Sequence, residues 1–330
     1  MSSVVKKYGR VLLVAAAVCG LFERSARASA WTWEPWHFYM QLGTSYSSAS
    51  NERIKYFDIS ANRNITIDRR IIVAKYAGDA TKFNSSNFQQ LLSDFYFELG
   101  TLRWLTLFGD IPFLSSNRQD NKLGTLSYHS ANVGDIMVGL RASAMTKPIA
   151  LAVEARFTFP SGVTNSPQSA SKDVIIPTGQ GDYRQELRAV ASKGFDKVPI
   201  YIDAELGFTL RGHVLLQNQI TGFGKNNGID THYKPEFVVH GEIGGTVVRW
   251  RGVDRLVLAL NVEHRQSTEI DAKSVFSTII AESSRQTWIG VNGIVYFTRN
   301  FGVNLSFRRA LEVINLPYLT SVGGALFGTY

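Results

Sequence analysis

Charged side chains occupy every second position of one short segment, which runs from Asp182 to Arg188. The alternating set is Asp182, Arg184, Glu186 and Arg188, two acids and two bases. In an extended strand successive side chains point to opposite faces, so these four would share one face. Charges placed in this way can neutralise one another as ion pairs across a sheet, or they can form a charged surface that selects solutes. The sequence leaves both interpretations open.

The same alternation selects charged residues in neighbouring segments. A turn near 196–198 would bring Arg188 close to Glu205, and a turn near 146–148 would bring Arg141 close to Glu154. We predict that one set of residues faces a common polar interior and lines a candidate solute pathway. The set is Glu98, Asp135, Arg141, Glu154, Arg156, Asp182, Arg184, Glu186, Arg188, Asp203, Glu205, Glu242, Glu263, Arg265 and Arg308.

Hydrolytic chemistry is weakly supported. A lipid-modifying hydrolase needs a serine, a histidine and an orienting Asn or Asp near the outer leaflet. His264 is predicted near a strand end on the lipid side, with Ser267 three residues on, but the phospholipase-type His-x-Ser-Asn-Gly pattern is absent. Glu242 and Glu263 are predicted to face each other, and the neighbouring Arg265 favours an ion network over an acid/base pair. We predict no catalytic residue, no metal ligand, no cofactor and no enzyme activity.

The elements that position these charges alternate between apolar and polar residues. In the segment 149–159, Ile149, Leu151, Val153, Ala155, Phe157 and Phe159 fall on one face, and Glu154, Arg156 and Thr158 fall on the other. Short turns are predicted near 102–104, 146–148, 196–198, 251–254 and 299–300. Long polar loops near 115–132, 160–181, 212–234, 267–284 and 310–318 alternate with them. An apolar outside, a polar inside and this alternation predict an all-β, transmembrane, antiparallel up-and-down β-barrel.

The strand count has one alternative. Eleven strands follow residue 88, and the amphipathic segment 36–42 adds a twelfth. The segments 53–60 and 65–73 could raise the count to fourteen. Because eight residues is short for a tilted membrane strand, which needs about 9–11, we predict twelve strands. Either even count places both termini in the periplasm.

An export signal precedes the barrel. Lys6, Lys7 and Arg10 lead into an apolar run of twelve residues at 11–22, and Ala28-Ser29-Ala30 is a small-x-small cleavage site. We predict a cleavable signal peptide at 1–30 and a single barrel domain at 31–330. The only cysteine belongs to the signal.

Charge and aromatic residues suggest the partners. The signal carries five cations and one anion, so the net charge of +8 falls to +4 in the mature chain, and this does not indicate nucleic-acid binding. Aromatic residues such as Trp104 and Trp250 lie beside predicted short turns, as interfacial girdles do. Trp31, Trp33 and Trp36 are predicted at the periplasmic rim. The terminal Tyr330 predicts recognition by the barrel-insertion machinery, and the apolar belt predicts contact with outer-membrane lipids and lipopolysaccharide.

Four sequence features in order carry a family resemblance. They are Leu105-Thr-Leu-Phe-Gly-Asp-Ile-Pro-Phe113, Gly134-Asp135-Ile-Met-Val-Gly-Leu140, Phe157-Thr-Phe-Pro-Ser-Gly162 and Gly179-Gln-Gly-Asp-Tyr183. The chain resembles, over about 88–330, the transporters grouped as "MetA-pathway of phenol degradation" proteins. It departs from them at Leu99, where an aromatic residue is common, and at Ser161, where threonine is common. The resemblance implies an outer-membrane barrel that admits small, often aromatic or hydrophobic, compounds.

The sequence thus favours a passive channel for small solutes in the outer membrane of a Gram-negative cell. Two alternatives remain: a structural or anchoring barrel with a closed lumen, and a lipid-modifying hydrolase of the outer membrane.

Overall fold

The computed structural model describes residues 30, 32–58, 63–70, 72–74, 83–120, 127–162, 182–195, 198–217, 228–269 and 283–330. The predicted signal peptide, apart from Ala30, therefore lies outside the described residues, as does most of the predicted loop at 160–181. Every regular element among the described residues is a β-strand. The same residues include no helix of the length and apolar character needed to span a membrane.

Twelve strands form one closed antiparallel ring, in which each strand pairs with the next and the last pairs with the first. This confirms the predicted twelve-stranded barrel. The strands are β1 Phe38–Ala49, β2 Phe83–Leu102, β3 Leu105–Asp120, β4 Ile136–Met145, β5 Ala150–Phe159, β6 Arg184–Gly194, β7 Ile200–Arg211, β8 Glu236–Trp250, β9 Val253–Ser267, β10 Arg285–Tyr296, β11 Phe301–Ile314 and β12 Thr320–Thr329. The ring closes where Tyr39 pairs with Thr329.

Shorter strands build on the loop end of the barrel. Asn51–Asp58 and Arg63–Arg70 form a hairpin that pairs with Leu316–Pro317 and not with the ring, so the fourteen-strand alternative is wrong. Two predicted loops, 115–132 and 212–234, also contain strands. Ser127–Val133 pairs with the extended end of β3, and a separate hairpin joins 213–217 to 228–232. Because these segments are rich in polar turn-forming residues, their composition masked their extended conformation.

The barrel wall alternates as the sequence predicts. Along β5, Ala150, Ala152 and Glu154 are buried, whereas Leu151 and Val153 are exposed on the outer surface. Burying an apolar side chain is worth about 25 cal/mol per Å², so an outer surface of this kind needs an apolar surrounding such as lipid. The opposite face of the same strand carries the charges, and the fold therefore collects them in the interior.

Candidate functional site

Glu154 is the centre of an interior ion network. Its side chain is 0% exposed and lies on β5 directly opposite Arg141 of β4. Arg141 donates from Nε to Glu154 over 2.6 Å, and Arg156 donates from Nη2 to the other carboxylate oxygen over 2.5 Å. One carboxylate therefore holds two guanidinium groups, which satisfies a buried charge from both sides.

The network continues along the wall in both directions. Toward β2, Arg141 reaches Glu98 over 3.1 Å. Toward β6 and β7, Arg188 donates to Glu186 and, over 2.5 Å, to Glu205, the ion pair expected from the turn between those strands. A further ion pair joins two strands that are not neighbours in the ring.

That contact joins Arg265 of β9 to Glu186 of β6 over 3.6 Å. Strands β7 and β8 stand between these two in the ring, so the pair bridges the interior as a chord. The same Arg265 also donates to Glu263 over 2.7 Å. Two sectors of the wall a quarter of the ring apart are thus linked at this level.

A second ion network lies at the loop end of the barrel. Arg211 makes two hydrogen bonds to Asp182, at 2.8 and 3.1 Å, and one to Glu236 at 2.9 Å. Arg184 pairs with Asp135 over 3.0 Å. The ring of Tyr233 lies 3.8 Å from the Arg211 guanidinium carbon, and burial raises the pKa of this tyrosine to about 12. The phenol therefore stays neutral near pH 7.

At the turn end of the interior, carboxylates accept hydrogen bonds from hydroxyl groups. Ser192 donates to Asp203 over 2.5 Å, and Tyr201 donates to Glu242 over 2.6 Å. Ligand atoms of Asp203, Glu205 and His240 lie within 4.8 Å of one another, a grouping that the sequence did not indicate. Glu205 already accepts from Arg188 and Asp203 from Ser192, so these contacts account for both carboxylates.

Three of the predicted residues lie differently from expectation. Glu263 pairs with His240 across the sheet, and Glu242 pairs with Asn261, so the predicted facing pair of glutamates is wrong. Arg308 shares the interior face opposite Gly290 and is exposed, with no ion pair to a described residue.

The chain before β1 enters the barrel at its turn end. We call residues 32–37 the amino-terminal strap. Its backbone donates from Trp33 to Thr106 of β3 over 2.9 Å and from Trp36 to the carbonyl of Gly100 over 2.7 Å. Ala30, the last residue of the predicted signal peptide, is fully buried and donates to Ser192 of β6 over 3.1 Å. Cleavage after Ala30 would remove this contact, and the strap of the mature chain is held at β2 and β3.

Trp33 fastens this strap to the ion network. Its indole Nε1 donates to Glu98 over 2.5 Å, and its ring stacks on Tyr39 at 6.3 Å between centroids. The prediction that Trp33 belongs to the aromatic girdle at the periplasmic rim is therefore wrong, because its indole nitrogen has a buried acceptor inside the barrel. Trp36 is 80% exposed. Trp31 lies outside the described residues.

Comparison with known proteins gives the fold. No protein-family model and no curated protein matches the sequence. The COG4313 outer membrane channel from Pseudomonas putida F1 superposes with a TM-score of 0.63 over 94% of this chain and 100% of that chain, at 11% identity. The chain has the fold of this outer-membrane channel.

Two other solved structures are more distant. The translocator domain of the autotransporter NalP from Neisseria meningitidis has a TM-score of 0.47 at 8% identity, covering 100% of this chain and 97% of that one. The CymD monoaromatic hydrocarbon channel has a TM-score of 0.43 at 10% identity, covering 90% and 88%.

Within this outer-membrane barrel fold, sequence reasoning missed five interior charges, which are Asp94, Asp110, Arg211, Glu236 and Arg255. Arg211 and Glu236 sit at the borders of a predicted loop, where strand parity was not applied. Asp94 lies on β2 with the same parity as Glu98, and Asp110 lies on β3 opposite Tyr96. The alternation of inward and outward side chains along β2 and β3 could have predicted both aspartates. Buried Oδ1 of Asp110 has no hydrogen-bond partner in the described structure.

Proposed function

We propose that this protein is a passive channel for small solutes in the outer membrane of a Gram-negative cell. The observation that carries the proposal is the closed wall of twelve strands, apolar on its outer face and charged within. A closed barrel satisfies its backbone hydrogen bonds in lipid, and its charged interior offers a polar route across. Export would use the signal peptide at 1–30.

The interior also supports the solute class that the family resemblance implies. An aromatic cluster lines one sector beside the strap. Tyr39 stacks on Phe327 at 5.9 Å, meets Tyr96 edge-on at 6.1 Å, and Tyr296 meets Phe327 edge-on at 5.2 Å. Aromatic faces of this kind bind ring compounds by offset or edge contacts. We infer that the channel admits small aromatic or hydrophobic compounds.

The partners follow from the outer surface and the carboxy terminus. The exposed apolar belt would contact outer-membrane lipids and lipopolysaccharide. Tyr330 is 79% exposed, and its backbone pairs with Phe38 at the closing seam. A terminal aromatic side chain presented at the seam suits recognition by the barrel-insertion machinery. We place both termini, and with them the strap, on the periplasmic side.

A second candidate, a structural or anchoring barrel with a closed lumen, is favoured by the strap and by the chord from Arg265 to Glu186. A hydrolase has no such support. His264 faces outward, and its Nδ1 lies 2.8 Å from the Thr287 hydroxyl. Ser267, the predicted partner, instead accepts from the backbone of Ser284. That the protein is not an enzyme stays a prediction.

Conductance of the purified, refolded barrel in planar lipid bilayers tests the two candidates. A channel gives discrete current steps, and liposomes containing it swell in isotonic solutions of small neutral aromatic compounds. A closed anchoring barrel gives neither current steps nor swelling. Variants that release the strap then show whether the strap closes the lumen. Incubation with phospholipid and lipopolysaccharide, followed by assay for released acyl chains, tests the hydrolase directly.

Two strap variants sharpen this test. A Cβ at Gly100 would lie 2.1 Å from the backbone oxygen of Glu34, and Trp33→Ala removes the bond to Glu98. Gly100→Ala and Trp33→Ala should therefore raise the conductance of each pore. Gly194→Ala is the matched control, because its Cβ would meet nothing within 4 Å. If even the strap variants pass no current, the channel proposal is refuted.

A further inference from the structure

The interior of the barrel carries more negative than positive charge, although the mature chain as a whole is positive. Among the described residues, twelve carboxylates lie on the interior face: Asp94, Glu98, Asp110, Asp135, Glu154, Asp182, Glu186, Asp203, Glu205, Glu236, Glu242 and Glu263. Eight arginines share that face: Arg141, Arg156, Arg184, Arg188, Arg211, Arg255, Arg265 and Arg308.

The excess of carboxylates lies outside the central network. In that network Arg141, Arg156, Arg188 and Arg265 face five glutamates. Arg308, which lies opposite Gly290 and has no ion pair to a described residue, balances the fifth. At the loop end Arg184 and Arg211 face three carboxylates. At the turn end Glu242 accepts only from the neutral groups of Tyr201 and Asn292. No level has a surplus of arginine to offset another.

Asp94 and Asp110 concentrate this excess on one sector of the wall. They are diagonal neighbours on β2 and β3, because Asp94 pairs with Pro112 and Asp110 with Tyr96. Neither forms an ion pair with a described side chain, and both are only partly buried. Opposite Asp94 stands Gly43, where a Cβ would lie 2.5 Å from the Asp94 carboxylate. Because glycine has no side chain, the Asp94 carboxylate can occupy the space over Gly43 on the interior face of the wall.

We propose that this pathway prefers cations to anions, and that Asp94 and Asp110 determine the preference. The inference rests on the proposed channel function and deepens it. Carboxylates without cationic partners make the local potential negative, and a narrow pore with walls of low dielectric constant concentrates that field. The paired arginines contribute little of opposite sign, since neighbouring carboxylates neutralise them. Among ring compounds of equal size, an ammonium should pass more readily than a carboxylate.

Coulomb's law sets the size of the effect. A monovalent cation about 5 Å from one carboxylate in water is favoured by roughly fourfold over a neutral solute. Salt at 0.1 M screens the interaction over about 10 Å, so the preference should weaken as ionic strength rises. We expect the potassium-to-chloride permeability ratio of the unmodified channel to exceed one. It should fall by at least about fourfold in the double variant Asp94→Asn/Asp110→Asn, because two carboxylates are removed and each acts on the cation and the anion with opposite sign.

The experiment is a reversal-potential measurement in planar bilayers under a tenfold gradient of potassium chloride. It is repeated with benzylammonium chloride and with potassium benzoate, which share the ring and differ in charge. Asp68→Asn is the matched control, because it removes the same charge from the exposed hairpin outside the barrel. The control should keep the reversal potential of the unmodified protein, and the double variant should shift it toward zero.

The possible outcomes distinguish failure of this inference from failure of the channel function on which it rests. Current steps with a cationic reversal potential that the double variant reduces support the inference. Current steps with an anionic or zero reversal potential overturn it and leave the channel function intact. An unchanged reversal potential in a folded double variant overturns the assignment to Asp94 and Asp110. Absence of current in all variants, including those of the strap, overturns the channel function and this inference together.

Discussion

Replacing Glu154 by glutamine should destabilise the barrel more than any other single loss of one interior carboxylate charge. Glu154 is fully buried and is the shared acceptor of Arg141 and Arg156, whose side chains are 7% and 23% exposed. Removing one partner of a buried ion pair costs about 3–5 kcal/mol. Arg141 retains Glu98 at 3.1 Å, and Arg156 is partly solvated, so we expect a loss of about 2–3 kcal/mol, or roughly 30- to 150-fold in the unfolding equilibrium.

A double-mutant cycle with Arg156→Gln isolates the electrostatic part of this loss. Without Arg156, the carboxylate of Glu154 still holds Arg141 at 2.6 Å, so Arg156→Gln alone should cost about 1 kcal/mol. The double variant Glu154→Gln/Arg156→Gln removes one charge of each sign. It should be more stable than Glu154→Gln by about 1 kcal/mol, since the uncompensated guanidinium is gone.

The assay is reversible urea unfolding in phospholipid vesicles, followed by tryptophan fluorescence. Glu312→Gln serves as the matched control, because Glu312 also pairs with one arginine but is 43% exposed, and exposed pairs contribute little. Wild-type stability in Glu154→Gln, or a double variant whose loss equals the sum of the single losses, would refute the view that the central network is a coupled unit.

Three further predictions concern which strand face meets lipid, which end of the barrel lies outside the cell, and whether Arg184 lines the pathway. Leu326→Arg places a cation on the lipid side and should cost about 2–4 kcal/mol near mid-membrane, whereas Ala325→Arg faces the interior and should cost less; equal loss of heat-resistant folded protein on gels would mean that the faces are reversed. A cysteine at Glu269 should react with an impermeant maleimide on intact cells, and one at Lys147 should not; the opposite labelling pattern would invert the topology. Arg184→Glu should leave the protein folded and move the reversal potential toward cations, and a folded variant with an unchanged potential would exclude this position from the pathway.

Strand parity predicted most of the wall, because in a barrel one face meets lipid and the other does not. The set Leu151 outside and Glu154 inside follows from a period of two alone. Short turns gave the register of neighbouring strands, and the Arg141–Glu154 pair follows from that register. The strand count depended on length, since the eight-residue strands of the hairpin at 51–70 are too short to span a bilayer obliquely.

Contacts between distant strands could not be predicted from parity. The approach of Arg265 to Glu186 depends on how the ring curves and how far each side chain reaches, which no local pattern encodes. Trp33 was misplaced for a related reason: tryptophan suits an interface as well as a buried hydrogen bond, and only the path of the strap into the barrel decides between them. Asp94 and Asp110 follow from strand parity, because Asp94 lies four residues before the inward Glu98 and Asp110 lies opposite Tyr96 on the next strand.

The amino-terminal strap also imposes an order on assembly. Trp33 and Thr106 are 73 residues apart in sequence, yet they meet in the finished barrel. The first residues of the mature chain therefore have no binding site until β2 and β3 have formed. Contacts this remote in sequence form late, because the intervening chain must be ordered first. Docking of the strap is thus a late step in folding. The fluorescence of Trp33 should change when its ring becomes shielded beside Glu98, so it reports when the barrel is complete.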